Sequence, residues 1–383
     1  MAWGQCNKFC CSDVCKYRDA FPTKLPNLTN PIHPIFQQDA FDLNIDYSLL
    51  EVSLRLASRY LTLGKVADNI CVVVDGVQTV YTDSIGDHIV RSPTDEHCQP
   101  PKNADDYTHY IHWRANEILR GAMGKNHFHI LPNTERGGKS KPRIGSFIPA
   151  LPLYQRGFPC DVYIGGYMYR QVQSLNQILD LQGHLSGPDL AELLYCHFEL
   201  ARLLIHELLH SIKTLYNGVR RWEHHCSPDA LLSEGGYDIE AAIFGGDGMV
   251  SAAWSKDILL ARRKEYCTKG QLRTAPRVPT VLFYNWPSRG WLDMYRSRRH
   301  KMGVINGEKL KCTTVENVPF SFIEELLQEG YWVTTSKGKR TPLEKLNVPR
   351  KGRNWGVMWN WKKDTLQPWL SKAECAVGKA ANE

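Results

Sequence analysis

Residues 206–210 read His-Glu-Leu-Leu-His, a set of residue types that can bind a metal ion and move a proton. On a helix, side chains four positions apart lie on the same face, one turn above the other. The imidazoles of His206 and His210 can therefore reach one Zn²⁺ ion. Glu207 borders the same face, where a carboxylate can hold a water molecule and accept its proton. The spacing predicts a metal-assisted hydrolytic site.

The residues around this motif predict a long, buried helix. Gly187-Pro188-Asp189 is a start signal, because proline suits the first turn and an acid suits the positive end of the helix dipole. Apolar residues then recur almost without interruption from Leu190 to Leu215, and Asn217-Gly218 ends the pattern. Polar side chains inside so apolar a helix need partners or a metal ion, which favours a metal site over an ordinary amphipathic helix.

A catalytic zinc site usually has three protein ligands and an open position for water. A short helix is predicted over residues 233–246, and it offers the carboxylates of Glu234 and Glu240. We favour Glu234 as the third ligand and keep Glu240 as the alternative metal ligand. The connecting loop holds three further candidates, which are weaker because a loop positions a ligand poorly: His224, His225 and Cys226.

His-Glu-Leu-Leu-His is an HExxH sequence, and with the Ser-Glu-Gly-Gly-Tyr-Asp run downstream it resembles the gluzincin pattern of zincin metallopeptidases. In that pattern a glutamate on a following helix completes the zinc site. The resemblance implies Glu234 as the third ligand and Glu207 as the catalytic base. It also implies that Asp238 orients a ligand histidine through the second ring nitrogen, an interaction that ligand histidines generally need.

The resemblance covers about residues 190–250, and this stretch also looks like metallopeptidase-like proteins of fungi. The pattern differs from that of thermolysin in its spacing and in lacking an asparagine before the ligand glutamate. Gluzincins further use a tyrosine or histidine to stabilise the oxyanion. Four residues are available for this role, and the sequence does not choose among them: Tyr237, Tyr284, Tyr295 and His300.

The function expected from these residues is zinc-dependent hydrolysis of a peptide or protein substrate, with Zn²⁺ as the cofactor. The metal polarises the scissile carbonyl and activates water, and Glu207 takes the proton of that water. A first alternative is a catalytically silent zincin that binds a partner protein. A second is a binder of nucleic acid or of an anionic surface through the basic C-terminal part.

The net charge of +7 is concentrated in the last third of the chain, where residues 256–383 hold 25 Lys and Arg against 12 Asp and Glu. Lysines and arginines alternate with tryptophans between residues 351 and 363, and such interleaving can pair phosphates and stack bases. Since no nucleic-acid-binding motif accompanies it, we favour tryptophans in the core and lysines in solvent, with no nucleic-acid partner.

Composition is typical of a soluble globular protein, with 43% hydrophobic and 23% charged residues in 383. No apolar run is long enough for a membrane span, and the N-terminus has no signal-peptide pattern. We therefore expect an intracellular, cytoplasmic protein with reduced thiols. Four early cysteines lack the paired spacing of a zinc site, so we favour an acylated or disordered tail: Cys6, Cys10, Cys11 and Cys15.

The predicted fold is α+β, with a zincin-like domain over residues 47–250 in which a small mixed sheet covers the active-site helix. Residues 1–46 form a Cys- and Pro-rich arm, and residues 251–383 form a basic, Trp-rich, mostly helical lobe. Local patterns predict four further helices, two strand regions and a hairpin. The helices are at 47–64, 107–122, 250–264 and 320–328, the strands at 161–170 and 280–284, and the hairpin turns at Asp75-Gly76.

Overall fold

Helix is the main secondary structure of the chain, and its strands form several small sheets, so the predicted α+β class is confirmed. The computed structural model describes residues 21–83, 86–92, 104–131, 138–142, 159–217, 235–244, 249–252, 281–285, 315–318, 320–336, 346, 348, 357–360 and 365–368.

The described helices are α1 (Glu51–Leu61), α2 (Gly64–Asp75), α3 (Ala104–Ala122), α4 (Gly166–Gln182), α5 (Gly187–Asn217), α6 (Gly235–Phe244), α7 (Phe320–Leu326) and α8 (Glu329–Ser336). Short 3-10 helices at Pro34–Phe36, Gln38–Ala40 and Tyr47–Leu50 precede α1. The strands are β1 (Val77–Asp83), β2 (Gly86–Ser92), β3 (Asn126–Ile130), β4 (Gly138–Pro142), β5 (Cys160–Ile164), β6 (Met249–Ala252), β7 (Val281–Asn285), β8 (Val315–Val318), β9 (Val357–Asn360) and β10 (Thr365–Pro368).

The sheet that bears on function has the strand order β3-β5-β4. β3 runs parallel to β5, and β4 runs antiparallel to it, so the sheet is mixed, as the sequence predicts. A second three-stranded sheet, β6-β7-β8, is antiparallel, and β1-β2 and β9-β10 are two-stranded antiparallel pairs.

Helix α5 is the centre of the structure. Its 31 residues span about 46 Å, and nearly every side chain along it is buried. The Ser186 hydroxyl caps its start by accepting from the Asp189 N–H. Helices α1, α4 and α6 pack around it, and strands β4 and β5 lie against it. The predicted motif helix is therefore confirmed, together with its buried setting.

The described residues on both sides of the predicted catalytic domain contribute to the same core. Phe36 and Phe41 from the first segment are buried, as are Phe320 and Phe322 of α7. The Asn27 N–H donates to the Leu327 carbonyl at 3.0 Å, which joins the first described segment to the turn after α7. The domain boundaries at 46 and 250 stay a prediction, and these contacts show that the segments outside them pack on α5 and its neighbours.

Helices are confirmed at 47–64, 107–122 and 320–328, and so is the strand at 280–284. The hairpin predicted at Asp75-Gly76 is wrong, because Val72, Val73 and Val74 belong to α2. The buried positions Val66, Ile70 and Val73 are spaced as one helical face, and the helix ends where the Gly76 N–H donates to the Val72 carbonyl. Strand β1 pairs with β2 instead of with the valine run.

The strand predicted over 161–170 is too long. It ends at Ile164, and α4 begins at Gly166, where Met168, Val172 and Leu175 supply a buried helical stripe. A helix predicted at 250–264 is a strand over its first residues, since β6 covers Met249–Ala252, and residues 253–264 lie outside the described chain.

The N-terminal cysteine cluster and most of the basic 351–363 stretch also lie outside the described residues. Within the described part, no helix is both long enough and apolar enough to cross a membrane.

His197 is buried at the middle of α5, where its Nδ1 lies 3.0 Å from the hydroxyl of Ser53 on α1. Burial lowers the pKa of His197 to about 4. The folded protein therefore keeps this ring neutral at a pH where the unfolded chain, with an ordinary histidine pKa near 6.5, binds a proton.

Stability should consequently be greatest above pH 6.5 and fall as the pH drops toward 4. Between pH 6.5 and pH 5 the loss from this one group is about 2 kcal/mol. Urea unfolding of His197→Asn in chelator-containing buffer should show a lower free energy at pH 7 but a flatter pH dependence. The exposed His184→Asn on the loop before α5 is the control and should keep the wild-type slope. Equal slopes for His197→Asn and wild type would contradict this assignment.

Candidate metal centre

His206 and His210 stand together on one face of α5, as the four-residue spacing predicts. Their Nε2 atoms are 3.3 Å apart, and their rings meet edge to face with centroids 5.0 Å apart. His206 is buried and His210 is half-buried. Two imidazole nitrogens are therefore presented to the same small space at the edge of the core.

Glu240 on α6 fixes the orientation of the His206 ring. Its Oε1 lies 2.7 Å from His206 Nδ1, and the Glu240 side chain is fully buried. A carboxylate at Nδ1 favours the tautomer that carries its proton there, so that Nε2 presents its lone pair as an acceptor or a metal ligand. In this position Glu240 lies on the side of the His206 ring that is away from His210. Its carboxylate therefore orients His206 and cannot also bind a metal ion held by both Nε2 atoms.

The Glu240 carboxylate is held in turn by Arg202, one helical turn before His206. Arg202 Nη1 donates to Glu240 Oε1 at 2.5 Å, and Nη2 and Nε donate to Glu199 Oε2 at 2.8 and 3.1 Å. Burial alone disfavours the guanidinium charge, but the carboxylates of Glu199 and Glu240 outweigh it and raise the pKa of Arg202 well above its usual value. The chain of contacts Glu199–Arg202–Glu240–His206 is thus a charged network inside the core.

Glu207 and Tyr237 border His206 on its other sides. Glu207 is buried, and its Oε1 lies 4.0 Å from His206 Nε2. The Tyr237 ring meets that of His206 edge to face, with centroids 4.8 Å apart. A carboxylate therefore stands beside the nitrogen pair.

The glycine pair at the start of α6 allows the two helices to approach closely. A Cβ on Gly236 would stand 2.3 Å from His206 Nε2, and a Cβ on Gly235 would stand 2.1 Å from Lys213 Nζ. At Gly236 the contact is with the His206 ring, so a side chain there would displace it. At Gly235 the contact is with the flexible end of Lys213, which can move aside. The backbone of α6 consequently forms one wall of the space in front of His206 Nε2.

The structure brings together His206, Glu207, His210 and Glu240 from the predicted set. The hydrogen bond to a ligand histidine that we expected from Asp238 is made to His206 by Glu240. Asp238 is two residues earlier on α6, which turns it about 200° around the helix axis. Its predicted orienting role, like the ligand role of Glu234, stays a prediction.

Several predicted positions lie outside the described residues, namely Glu234, His224, His225, Cys226, Tyr295 and His300. Tyr284 lies on β7, and the ring of Tyr237 contacts that of His206.

Sequence reasoning missed the roles of Glu199 and Arg202. A signal was present, because Glu199, Arg202 and His206 are spaced i, i+3 and i+7 and so share one helical face. Charged residues on the same buried face as a metal-binding histidine predict a supporting network.

The nitrogen pair fits a zinc ion. With Zn–N bonds of about 2.0–2.1 Å and a tetrahedral angle, two imidazole nitrogens on one Zn²⁺ stand about 3.3 Å apart. The observed Nε2 separation is 3.3 Å. The hydrogen bond at Nδ1 of His206 supplies the support that ligating histidines use.

The chain matches no protein-family model, no curated protein and no solved structure. Assignment of the site therefore depends on its own geometry.

Gly236→Ala should damage this centre while preserving α6. The added Cβ displaces His206 Nε2, so we expect Zn²⁺ affinity, measured by competition with a chromogenic chelator, to fall about 10-fold or more. Gly330→Ala on α8 is the matched control, since its Cβ meets nothing within 4 Å. The control should keep the wild-type affinity and gain up to about 1 kcal/mol of stability. Wild-type affinity in Gly236→Ala would argue against metal binding at His206 Nε2.

Proposed function

We propose that this protein is a zinc-dependent metallopeptidase with a zincin-like domain of gluzincin type. One observation carries the proposal: the Nε2 atoms of His206 and His210 stand at the separation that one tetrahedral zinc requires, with Glu207 beside them. His206 and Glu207 are buried and His210 is half-buried. Polar groups in such a setting need partners, and one metal ion would be a common partner for both Nε2 atoms.

His206, His210 and Glu234 are the proposed zinc ligands. Glu234 is two residues before Gly236, whose backbone faces His206 Nε2. Glu234 itself lies outside the described residues, so its ligand role rests on the sequence. Glu240 is committed to His206 Nδ1 and Arg202, which supports Glu234 over Glu240 as the third ligand.

A Zn²⁺ ion in this position would supply a Lewis acid for the scissile carbonyl and lower the pKa of a water molecule toward neutrality. Glu207 accepts the proton of the attacking water as the new C–O bond forms, and it delivers that proton to the amine nitrogen as the C–N bond breaks. Arg202 and Glu240 take no part in the proton transfer; they hold His206 in place. Tyr237, beside His206, is the first candidate for stabilising the carbonyl oxygen.

The sheet offers a place for an extended peptide. Strand β4 is an edge of the β3-β5-β4 sheet and lies against α5. The backbone N–H and C=O groups on the outer side of an edge strand can pair with an added strand, which is a common mode of peptide recognition. This placement supports a peptide substrate and a zincin-like arrangement of sheet over motif helix.

Glu207→Gln tests the proposal, with zinc content and hydrolysis of a mixed peptide library measured on the same samples. The variant keeps the shape of the side chain and removes its basicity, so zinc content should be unchanged while the rate falls about 10²- to 10⁴-fold. Glu192→Gln, on the same helix far from the motif, is the matched control and should hydrolyse as wild type does.

Equal rates for Glu207→Gln and wild type would overturn the mechanism, and absence of stoichiometric zinc would overturn the site. Stoichiometric zinc without hydrolysis of any peptide would instead favour the silent, partner-binding zincin. The nucleic-acid alternative concerns a basic stretch mostly outside the described residues and stays a prediction.

A further inference from the structure

A second group of metal-binding side chains lies on strand β3 and the segment just before Tyr47. Asp42, His127 and His129, here called the His–Asp cluster, each offer one ligand atom, and these three atoms lie within 4.8 Å of one another. Asp42 Oδ1 is 2.9 Å from His127 Nε2, and Asp42 Oδ2 is 2.9 Å from His129 Nδ1. The three side chains are 26% to 30% exposed, so solvent reaches the cluster.

The sheet builds this cluster by its two-residue period. Phe128 faces the core, and His127 and His129 face the other side. Phe41 pairs with Phe128 through a parallel bridge and stacks on its ring, and the Asp42 N–H donates to the Phe128 carbonyl at 3.2 Å. These backbone contacts hold the Asp42 carboxylate between the two imidazoles.

The cluster is separate from the HExxH centre. Asn126 and Cys160, at the start of β3 and β5, contact Ser211 of α5 from the buried face of the sheet. Since side chains alternate along a strand, His127 and His129 point away from α5. The two groups of histidines are therefore on opposite faces of one sheet.

Hydrogen-bond counting shows that His129 stands where a cation is favoured. His129 Nε2 lies 3.1 Å from Asp161 Oδ1, while its Nδ1 faces Asp42, so each ring nitrogen faces a carboxylate oxygen. A neutral imidazole has one N–H and can donate to only one of them, whereas a doubly protonated ring donates to both. A metal ion at Nδ1 satisfies both carboxylates as well, because Asp161 then accepts the Nε2 proton and Asp42 coordinates the ion. Tyr163, stacked on the His129 ring, limits its rotation.

We propose that Asp42, His127 and His129 bind a divalent transition-metal ion of the zinc class, with Asp161 orienting His129. Two imidazoles and one carboxylate suit Zn²⁺ or Co²⁺, whereas Mg²⁺ and Ca²⁺ favour oxygen ligands alone. Three ligands and partial exposure leave at least one position for water or a substrate group. The ion links the chain segment around Asp42 to strand β3, so it also clamps these two parts of the fold. This proposal does not rest on the proposed peptidase activity.

The test is the metal stoichiometry of the full-length protein, loaded with Zn²⁺ and dialysed, then repeated with Co²⁺ and its visible spectrum as a reporter of coordination. Wild type should bind two equivalents. His127→Gln/His129→Gln should bind one, and its zinc-induced rise in Tm should shrink, because an ion that binds only the folded state stabilises it. His109→Gln/His112→Gln, on α3 outside both sites, is the control and should bind two.

Two equivalents in His127→Gln/His129→Gln, or one equivalent in both this variant and wild type, would overturn the cluster as a site. His206→Gln/His210→Gln separates the two proposals: a stoichiometry equal to that of wild type there would overturn the HExxH centre and leave the cluster untouched. Asp42→Asn keeps the side-chain shape if the double variant fails to fold, and it should lower the affinity of one site about 10-fold or more.

Discussion

The structure depends on one buried carboxylate, that of Glu240, shared between Arg202 and His206. A fully buried carboxylate is costly unless it is paired and hydrogen-bonded, and removing one member of such a pair typically costs about 3–5 kcal/mol. Arg202 provides the positive charge that Glu240 needs, and its guanidinium also donates to Glu199 through Nη2. Because Glu240 is on α6 and the other groups are on α5, this network joins the two helices in one register. That register brings Gly236 against His206 and sets the wall of the candidate centre.

Burial of α5 explains the arrangement around it. A helix that is apolar on nearly every side must be covered by other elements, and α1, α4, α6 and the β3-β5-β4 sheet supply the cover. The sheet uses one face for this purpose and so leaves its other face for polar side chains. The HExxH centre and the His–Asp cluster thus arise from the same packing, one on each side of a three-stranded sheet.

The sequence was sufficient to predict the motif helix, because caps, apolar run and histidine spacing all lie within some 30 residues. It was also sufficient to predict that His206 and His210 lie side by side, because helix geometry alone determines this. It was not sufficient to predict that Glu240, expected only as an alternative metal ligand, is the partner of His206 Nδ1. That pairing depends on how α6 rotates against α5, and this rotation follows from the glycine pair and the Arg202 network.

Long-range contacts were the other limit. The two-residue spacing of His127 and His129 is typical of a strand, but it does not point to Asp42, which is 85 residues away from His127 in sequence. Asp42 is brought to the strand by the Phe41–Phe128 bridge. The hairpin prediction at Gly76 was wrong for a local reason. Three adjacent valines fit a helix or a strand equally well, and the helical period is revealed by the earlier Val66 and Ile70.

The most direct test of the account compares the Zn²⁺ affinity of Glu240→Gln with that of Asp238→Asn, each measured by chelator competition in the His127→Gln/His129→Gln background so that a single centre is observed. If Glu240 orients His206, Glu240→Gln should weaken zinc binding about 10- to 100-fold, and Asp238→Asn should weaken it less. Wild-type affinity in Glu240→Gln together with a loss in Asp238→Asn would contradict the account.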